Sequence, residues 1–277
     1  MKRARVSLAL VTAAAALAVA TPAGAYEVSG VRAKATVTRI ASLGPRVAGS
    51  ANERRAGRLV AERLRRFGYD VAVQRVRLPN GRRSRNVVGR SPGPLRVIVV
   101  AHLDGVSGTV AANDNASGVA VMLEVARALA GTEGLLVAAV GAEEREETGS
   151  RLHLGSARLV RGLSRATRRS VRLALSLDMV GVGTTLNLRG LERRPNRSAR
   201  LTLGRARALG LRASYLRDEG VSDHAELTRA GIPAALFTWR WDTCWHTACD
   251  RPRRVRARKL GQVGRTTVAA ARAVLSR

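Results

Sequence analysis

The stretch VIVVAHLD, residues 97–104, decides the architecture. Leu95 to Ala101 is apolar but for Arg96, the pattern of a strand buried on both faces at the centre of a parallel sheet. It delivers two polar side chains, His102 and Asp104, at its C-terminal end. Three further runs look alike: Leu135–Val140, Leu173–Leu177 and Ala234–Phe237. Between them lie segments with helical spacing. Ala116–Ala130 turns Val119, Met122, Leu123, Val125, Ala126 and Leu129 inward, and Gly131 serves as its C-cap. Further helices are expected at Ser156–Leu163, Arg197–Leu209, His224–Ala230 and Val255–Ser276. Such alternation predicts an α/β fold, a mostly parallel sheet covered by helices on both faces.

Upstream, Ala51–Phe67 has amphipathic spacing, with Leu59, Val60, Leu64 and Phe67 on one side, and Gly68 ends it. Val71–Leu78 reads as a strand and Pro79-Asn80-Gly81 as a turn. Arg82–Arg90 is polar and basic around Asn86-Val87-Val88, and no element is assigned to it.

The N-terminus has a different character. Met1–Arg5 carries three positive charges, Val6–Ala20 is apolar and Ala-rich, and Ala23-Gly24-Ala25 has the form of a cleavage site. Residues 1–25 are therefore expected to be a secretory signal, the run being too short for a comfortable membrane span. The single domain then covers 26–277, an N-terminal helix and strand portion at 26–94 and a core at 95–277. No transmembrane segment is expected, and a propeptide after the signal stays open.

The chain has 277 residues, 45% of them hydrophobic and only 3% aromatic, so its core is built from Val, Leu and Ala. The formal charge of +29 comes from Arg spread through every segment, without interleaved aromatics or a nucleic-acid module. A solvated basic surface is expected, with electrostatic attraction to anionic envelope polymers as an accessory property and no specific nucleic-acid partner. Cys244 and Cys249 are the only cysteines. In an oxidising compartment they form the one available disulfide and fix the turn around His246. Packed free thiols and zinc ligation are the competing readings.

Carboxylates and imidazoles recur beside the strand-like runs: His102, Asp114 in NDNASG, Glu143 and Glu144 in GAEE, Asp178 in LALSLDMVG, and His246 in CWHTACD. Ligands of open α/β sheets bind beyond the carboxyl ends of the strands, which is where His102, Glu143, Glu144 and Asp178 fall. Two zinc ions sharing one carboxylate need about five protein ligands, so a two-metal hydrolase leads. Adjacent carboxylates point apart, which lets Glu144 reach a metal while Glu143 faces substrate. A purely structural metal site is the bland alternative.

Gly44-Pro45-Arg46-Val47-Ala48-Gly49-Ser50, His102–Ser150, Leu175–Gly181, Ser222–Pro233 and Cys244–Asp250 together resemble one family, the co-catalytic zinc aminopeptidases of clan MH. Bacterial secreted leucyl aminopeptidases and aminopeptidase Y belong to that group, and glutamate carboxypeptidase and glutaminyl cyclase are cousins. The resemblance implies a single three-layer αβα sandwich of the phosphorylase/hydrolase-like type and two Zn2+, with Co2+ or Mn2+ as substitutes. Asp114 would bridge them, His102 and Asp178 completing one site and Glu144 and His246 the other. Glu143 would be the general base, Asp104 and Asp250 supporting hydrogen-bond acceptors, and peptide or protein N-termini the substrate. Asp223 and His224 match a motif near the active-site mouth, though Ser222 could equally be a helix N-cap.

The chain departs from the family in three places. Arg145-Glu146-Glu147-Thr148 replaces a Leu-Gly-Leu type segment, and Leu227 stands where Phe is common. Trp245 stands where close relatives carry an oxyanion-donating Tyr. His153 matches no role and is expected to be a surface or packing residue, and Glu146 and Glu147 solvated charges. A carboxypeptidase, a glutaminyl cyclase and a non-catalytic cationic envelope-binding protein are the alternatives to a secreted aminopeptidase.

Overall fold

A computed structural model describes residues 27–144 and 153–276. The expected leader, and the segment containing Glu146 and Glu147, lie outside the described residues. In chain order the elements are α1 (Gly30–Ala41), α2 (Ala51–Arg66), β1 (Asp70–Arg77), β2 (Arg83–Arg90), β3 (Val97–His102) and α3 (Gly118–Ala128). Then come β4 (Leu135–Val140), α4 (Leu154–Arg161), α5 (Arg165–Ser170), β5 (Leu173–Leu177) and β6 (Thr185–Gly190). The chain continues through α6 (Arg197–Ala208), β7 (Ala213–Arg217), α7 (His224–Arg229), β8 (Ala234–Arg240) and α8 (Ala257–Leu275).

All eight strands form one sheet in the order β1-β2-β4-β3-β5-β8-β6-β7. The four central strands β4, β3, β5 and β8 run parallel, and antiparallel pairings join β2 to β4 and β6 to β8. The expected mixed, mostly parallel sheet is what the chain builds. β3 shows why. Val97, Val99 and Ala101 enter one core with residues of α1, α2, α3, α6 and α8, while Ile98 and Val100 enter another with residues of α4 and α7. Period-2 alternation of apolar residues on both faces demands a helical layer on each side.

Five elements were not foreseen: α1, β2, α5, β6 and β7. β2 was passed over because arginines crowd its ends, yet Asn86, Val87 and Val88 are buried where it pairs with β1 and β4. β6 and β7 are short and carry Asn and Arg among few apolar residues, which masks strand alternation. α1 packs Val37 and Ile40 fully into the larger core, although Lys and Arg on its outer face dilute the signal. The N-terminal portion is thus continuous with the metal-binding core through one sheet. No described helix is long and apolar enough to cross a membrane.

α2 begins where Ser50 accepts a hydrogen bond from the Glu53 amide at 3.1 Å and Glu53 accepts one from the Gly49 amide at 2.7 Å. This reciprocal cap satisfies one orphan donor of the first turn, the Glu53 amide, and one in the turn ahead of the helix. It also buries Glu53, whose other oxygen accepts from the Ser84 hydroxyl. Desolvation pushes the Glu53 carboxyl up to about 8, and nearby Asp104 adds to the rise.

Candidate metal centre

The C-terminal ends of β3, β4 and β5 converge on one cleft. His102 is the last residue of β3, Asp178 follows β5 directly, and Glu143 and Glu144 come three and four residues after β4. Asp114 comes from an irregular turn, Ala112–Ser117, ahead of α3, and His246 from the loop after β8. All six sequence-predicted residues meet here.

The two oxygens of Asp114 are shared out. Oδ1 lies 3.1 Å from Nε2 of His102, and Oδ2 lies 3.2 Å from Nε2 of His246. His102 Nε2 is also 3.3 Å from Asp178, and His246 Nε2 is 3.1 Å from Glu144. Two ligand atoms held about 2.05 Å from one tetrahedral zinc sit roughly 3.3 Å apart, and the two imidazole–carboxylate edges of each triplet have that length. Among the described residues, His102 with Asp114 and Glu144, and His102 with Glu143 and Asp178, bring donor atoms within 4.8 Å of one another.

The electrostatics fit the same reading. Burial raises Glu143, and the neighbouring Glu144, Asp223 and Asp178 add to the rise against the pull of His102. Burial likewise raises Glu144, with Asp114 repelling it. Burial would lower His102, but Glu143, Asp178 and Asp114 outweigh it and hold the imidazole well above its ordinary value. His246 is pushed up to about 10, its bonds to Asp114 and Glu144 overcoming desolvation. So many buried carboxylates around two imidazoles need compensating positive charge, and divalent cations supply it. The residues present therefore fit a metal pair.

Supporting groups fix each ligand. Asp104 is fully buried and accepts from the amides of Glu143 at 3.0 Å and Glu144 at 3.1 Å, with Oδ1 3.8 Å from Nδ1 of His102. Asp250 accepts from the amides of Asn113 at 2.7 Å and Asp114 at 3.0 Å. Burial raises the Asp250 carboxyl to about 6 even against those two bonds. The Asn113 side chain donates to Asp242 at 2.9 Å and accepts from the amides of Gly181 and Val182, binding the Asp114 turn to the segment after Asp178. The Cys244–Cys249 disulfide is formed and closes the loop that presents His246. Ala111, Ala142, Met179 and His246 all have φ between 48° and 58°. Left-handed non-glycine backbone costs about 1 kcal/mol or more per residue, and it clusters where geometry at a site is enforced.

Three residues gain roles that sequence reasoning did not give them. Arg46, from the quoted GPRVAGS stretch, is wholly buried. Its guanidinium donates to the carbonyls of Leu103 at 3.0 Å, Val110 at 2.7 Å and Ala111 at 2.8 Å, clamping the two segments that carry His102 and Asp114. Burial lowers its pKa to about 10, and Asp104 and Asp250 oppose the drop. Asp242 ties the His246 loop to Asn113 and accepts from Arg254 at 3.2 Å. Asp218 accepts from His224 Nε2 at 3.1 Å.

The structure decides several open expectations. His153 is the packing residue of its two expected roles: it is 2% exposed, and its Nε2 lies 3.4 Å from Glu143 Oε1. Asp223 and His224 are both fully buried and are not part of the cleft lining, which leaves them the supporting position behind it. His224 faces Asp218. Ser222 does not cap α7: its hydroxyl faces that of Ser176 at 3.3 Å, and α7 starts without a side-chain cap. Trp245 does line the cleft, half-exposed, with its indole 4.3 Å from the His246 ring.

The cleft has a volume of about 830 Å³ and reaches from Asp114, Glu143, Glu144, Asp178 and His246 to a wall formed by β6 and β8. Comparison with known proteins agrees with this fold. The chain is 30% identical over 205 residues to aminopeptidase YwaD of Bacillus subtilis strain 168, covering 68% of this chain and 44% of that relative's length. In fold it is similar to a zinc aminopeptidase from Bacillus subtilis, with a TM-score of 0.81 at 21% identity, covering 89% of this chain and 95% of the other. It is also similar to the glutaminyl cyclase of Porphyromonas gingivalis, with a TM-score of 0.77 at 25% identity, covering 89% and 99%. Peptidase family M28 matches residues 86–271, which span β3 to β8 and every ligand of the centre, and the chain belongs to that family.

Proposed function

We propose that the protein is a metal-dependent aminopeptidase that removes residues from the N-termini of peptides with two zinc ions and Glu143 as general base. The division of the Asp114 carboxylate between His102 and His246 carries this reading, because a carboxylate facing one imidazole per oxygen suits a bridging ligand. His102, Asp178 and Asp114 would hold one ion, and Glu144, His246 and Asp114 the other. Bound zinc supplies Lewis-acid polarisation of the scissile carbonyl and lowers the pKa of water toward neutrality.

The chain's own groups do the rest. Glu143, buried and raised, accepts the proton of the attacking water and returns it to the leaving amine. His153 beside its Oε1 orients that carboxylate. Glu143 and Asp178 present negative charge to the substrate's free α-ammonium. Asp104 and Asp250 hold the ligand-bearing backbone in place, as outer-shell groups of metal sites do. Trp245 flanks the cleft and carries an indole N–H, a donor without the acidity of a phenol.

The charged, apolar and small-residue run of residues 1–25 supports export, and the disulfide suits an oxidising compartment. The strongly basic composition supports association with an anionic envelope as an accessory property.

Purified protein is assayed for release of the first residue from peptides with free and acetylated amines, with and without chelator. The free-amine peptides alone should be cut, and chelation should stop it. Glu143→Gln should lose about 10²–10⁴-fold in kcat while still binding metal. Cutting of acetylated peptides at their C-termini would point instead to a carboxypeptidase. Ammonia release from peptides beginning with Gln, with one zinc per chain, would point to a cyclase.

A further inference from the structure

The wall of the cleft opposite the metal ligands carries a cation that peptide-bond cleavage does not require. Arg189 projects from β6 into the cleft, within electrostatic range of Asp178. Its Nε lies 3.1 Å from Asp218 Oδ2, an ion pair without the alignment of a linear hydrogen bond. Asp218 is itself fixed, accepting from the Gly220 amide at 2.8 Å and from the buried His224 at 3.1 Å. It sits behind the wall, its side chain 1% exposed, while that of Arg189 is 21% exposed.

The guanidinium is thus paired through Nε with the fixed Asp218, and Arg189 remains part of the cleft lining. Arg240, stacked at 4.5 Å on the Trp241 ring, adds a second positive charge to the same wall. Leu236, Thr238 and Trp239 supply the remaining surface there.

A guanidinium is permanently charged, and its planar fork matches a carboxylate in two-point geometry. An apolar substrate side chain against Arg189 would strip water from its donors and return nothing, which is how polar sites reject apolar analogues. We propose that Arg189, oriented through Asp218 and His224, recognises a substrate carboxylate, so that the enzyme prefers peptides carrying one beside the scissile bond. The carboxylate comes either from the side chain of an N-terminal Asp or Glu or from the C-terminus of a dipeptide. This assignment rests on the aminopeptidase reading.

The test measures kcat/KM for peptides beginning with Glu, Gln and Leu, each as a longer peptide, a dipeptide acid and a dipeptide amide. A preference of about tenfold or more for Glu over Gln identifies the side chain as the source, and the same preference for acid over amide identifies the C-terminus. In Arg189→Gln that preference should collapse to within about twofold. Arg189→Lys, which keeps the charge but not the fork, should fall between and serves as the second variant if Arg189→Gln does not fold. Ratios near one in the parent, or ratios that survive Arg189→Gln, overturn the proposal while leaving the aminopeptidase intact. If no peptide is cut, the aminopeptidase reading fails. Calorimetric binding of L-glutamate, L-glutamine and L-leucine to the metal-loaded protein then decides the matter: glutamate preferred only with Arg189 present supports it, and equal binding overturns it.

Discussion

His102 and His246 face the two oxygens of the same carboxylate at nearly the same distance, yet the molecule builds them in opposite ways. His102 ends a central strand, is 1% exposed, and is backed by Asp104, Arg46 and the packed core. The His246 side chain is 35% exposed on a disulfide-closed loop outside the sheet, with a left-handed backbone. What aims His246 is a set of polar ties, Asp250 to the Asn113 and Asp114 amides and Asp242 to the Asn113 side chain. One arm of the centre is therefore fixed by burial and the other by hydrogen bonds. The buried arm should tolerate no loss without cost to folding, while the exposed arm can fail locally.

Replacing each histidine by Ala tests that difference most severely. Both variants should lose more than about 10⁴-fold in kcat/KM, since each removes a member of a cooperating set. Their stabilities should diverge. His102→Ala leaves Asp114 and Asp178 buried without their cation and should cost about 3–5 kcal/mol in metal-free protein. His246→Ala, at a solvated position, should cost about 1 kcal/mol or less. Thermal unfolding in chelator reads the contrast, and equal losses would break it.

Asp250→Asn attacks the ties that aim the exposed arm. Metal affinity should fall about 10–100-fold, the usual effect of an outer-shell change. Competitive chelator titration measures it, and an unchanged affinity would show that the disulfide alone positions His246. The Cys244→Ser/Cys249→Ser double variant removes that loop closure. The chain-entropy estimate for so short a loop is about 2 kcal/mol, and activity should fall before global unfolding begins.

The same contrast separates what could be read in the sequence from what could not. His102 and Asp178 were legible because each ends an apolar run that can only be a central strand. Asp114, Glu144 and His246 were legible through the family motifs around them. Arg46, Asp242 and the Asp218–His224–Arg189 relay were not, because their partners lie as far as 129 residues away in sequence and nothing local marks a buried arginine. The contact of His153 with Glu143 was hidden for the same reason, depending on how α4 is set against the end of β4. β2 and β6 hid because arginine interrupts their alternation, yet β6 is the strand that brings Arg189 to the cleft.

The smallest expected effect sharpens the buried side of the comparison. Glu53 lies behind Asp104, accepting from the Gly49 amide and the Ser84 hydroxyl, with its carboxyl raised from the ordinary 4.5 to about 8 by burial. Between those values the folded chain holds a proton that the unfolded chain has released. Stability is therefore greatest below 4.5 and is lost as pH rises toward 8 and through it. Glu53→Gln keeps the shape without the ionisation. It should match the parent below about pH 4.5 and exceed it increasingly as pH rises to about 8. If burial governs this wall, the two pH profiles of Tm coincide below about 4.5, diverge between there and about 8, and run parallel above. Profiles parallel throughout would mean that water reaches Glu53, and the wall behind Asp104 would then be held, like the His246 loop, by its hydrogen bonds and not by its packing.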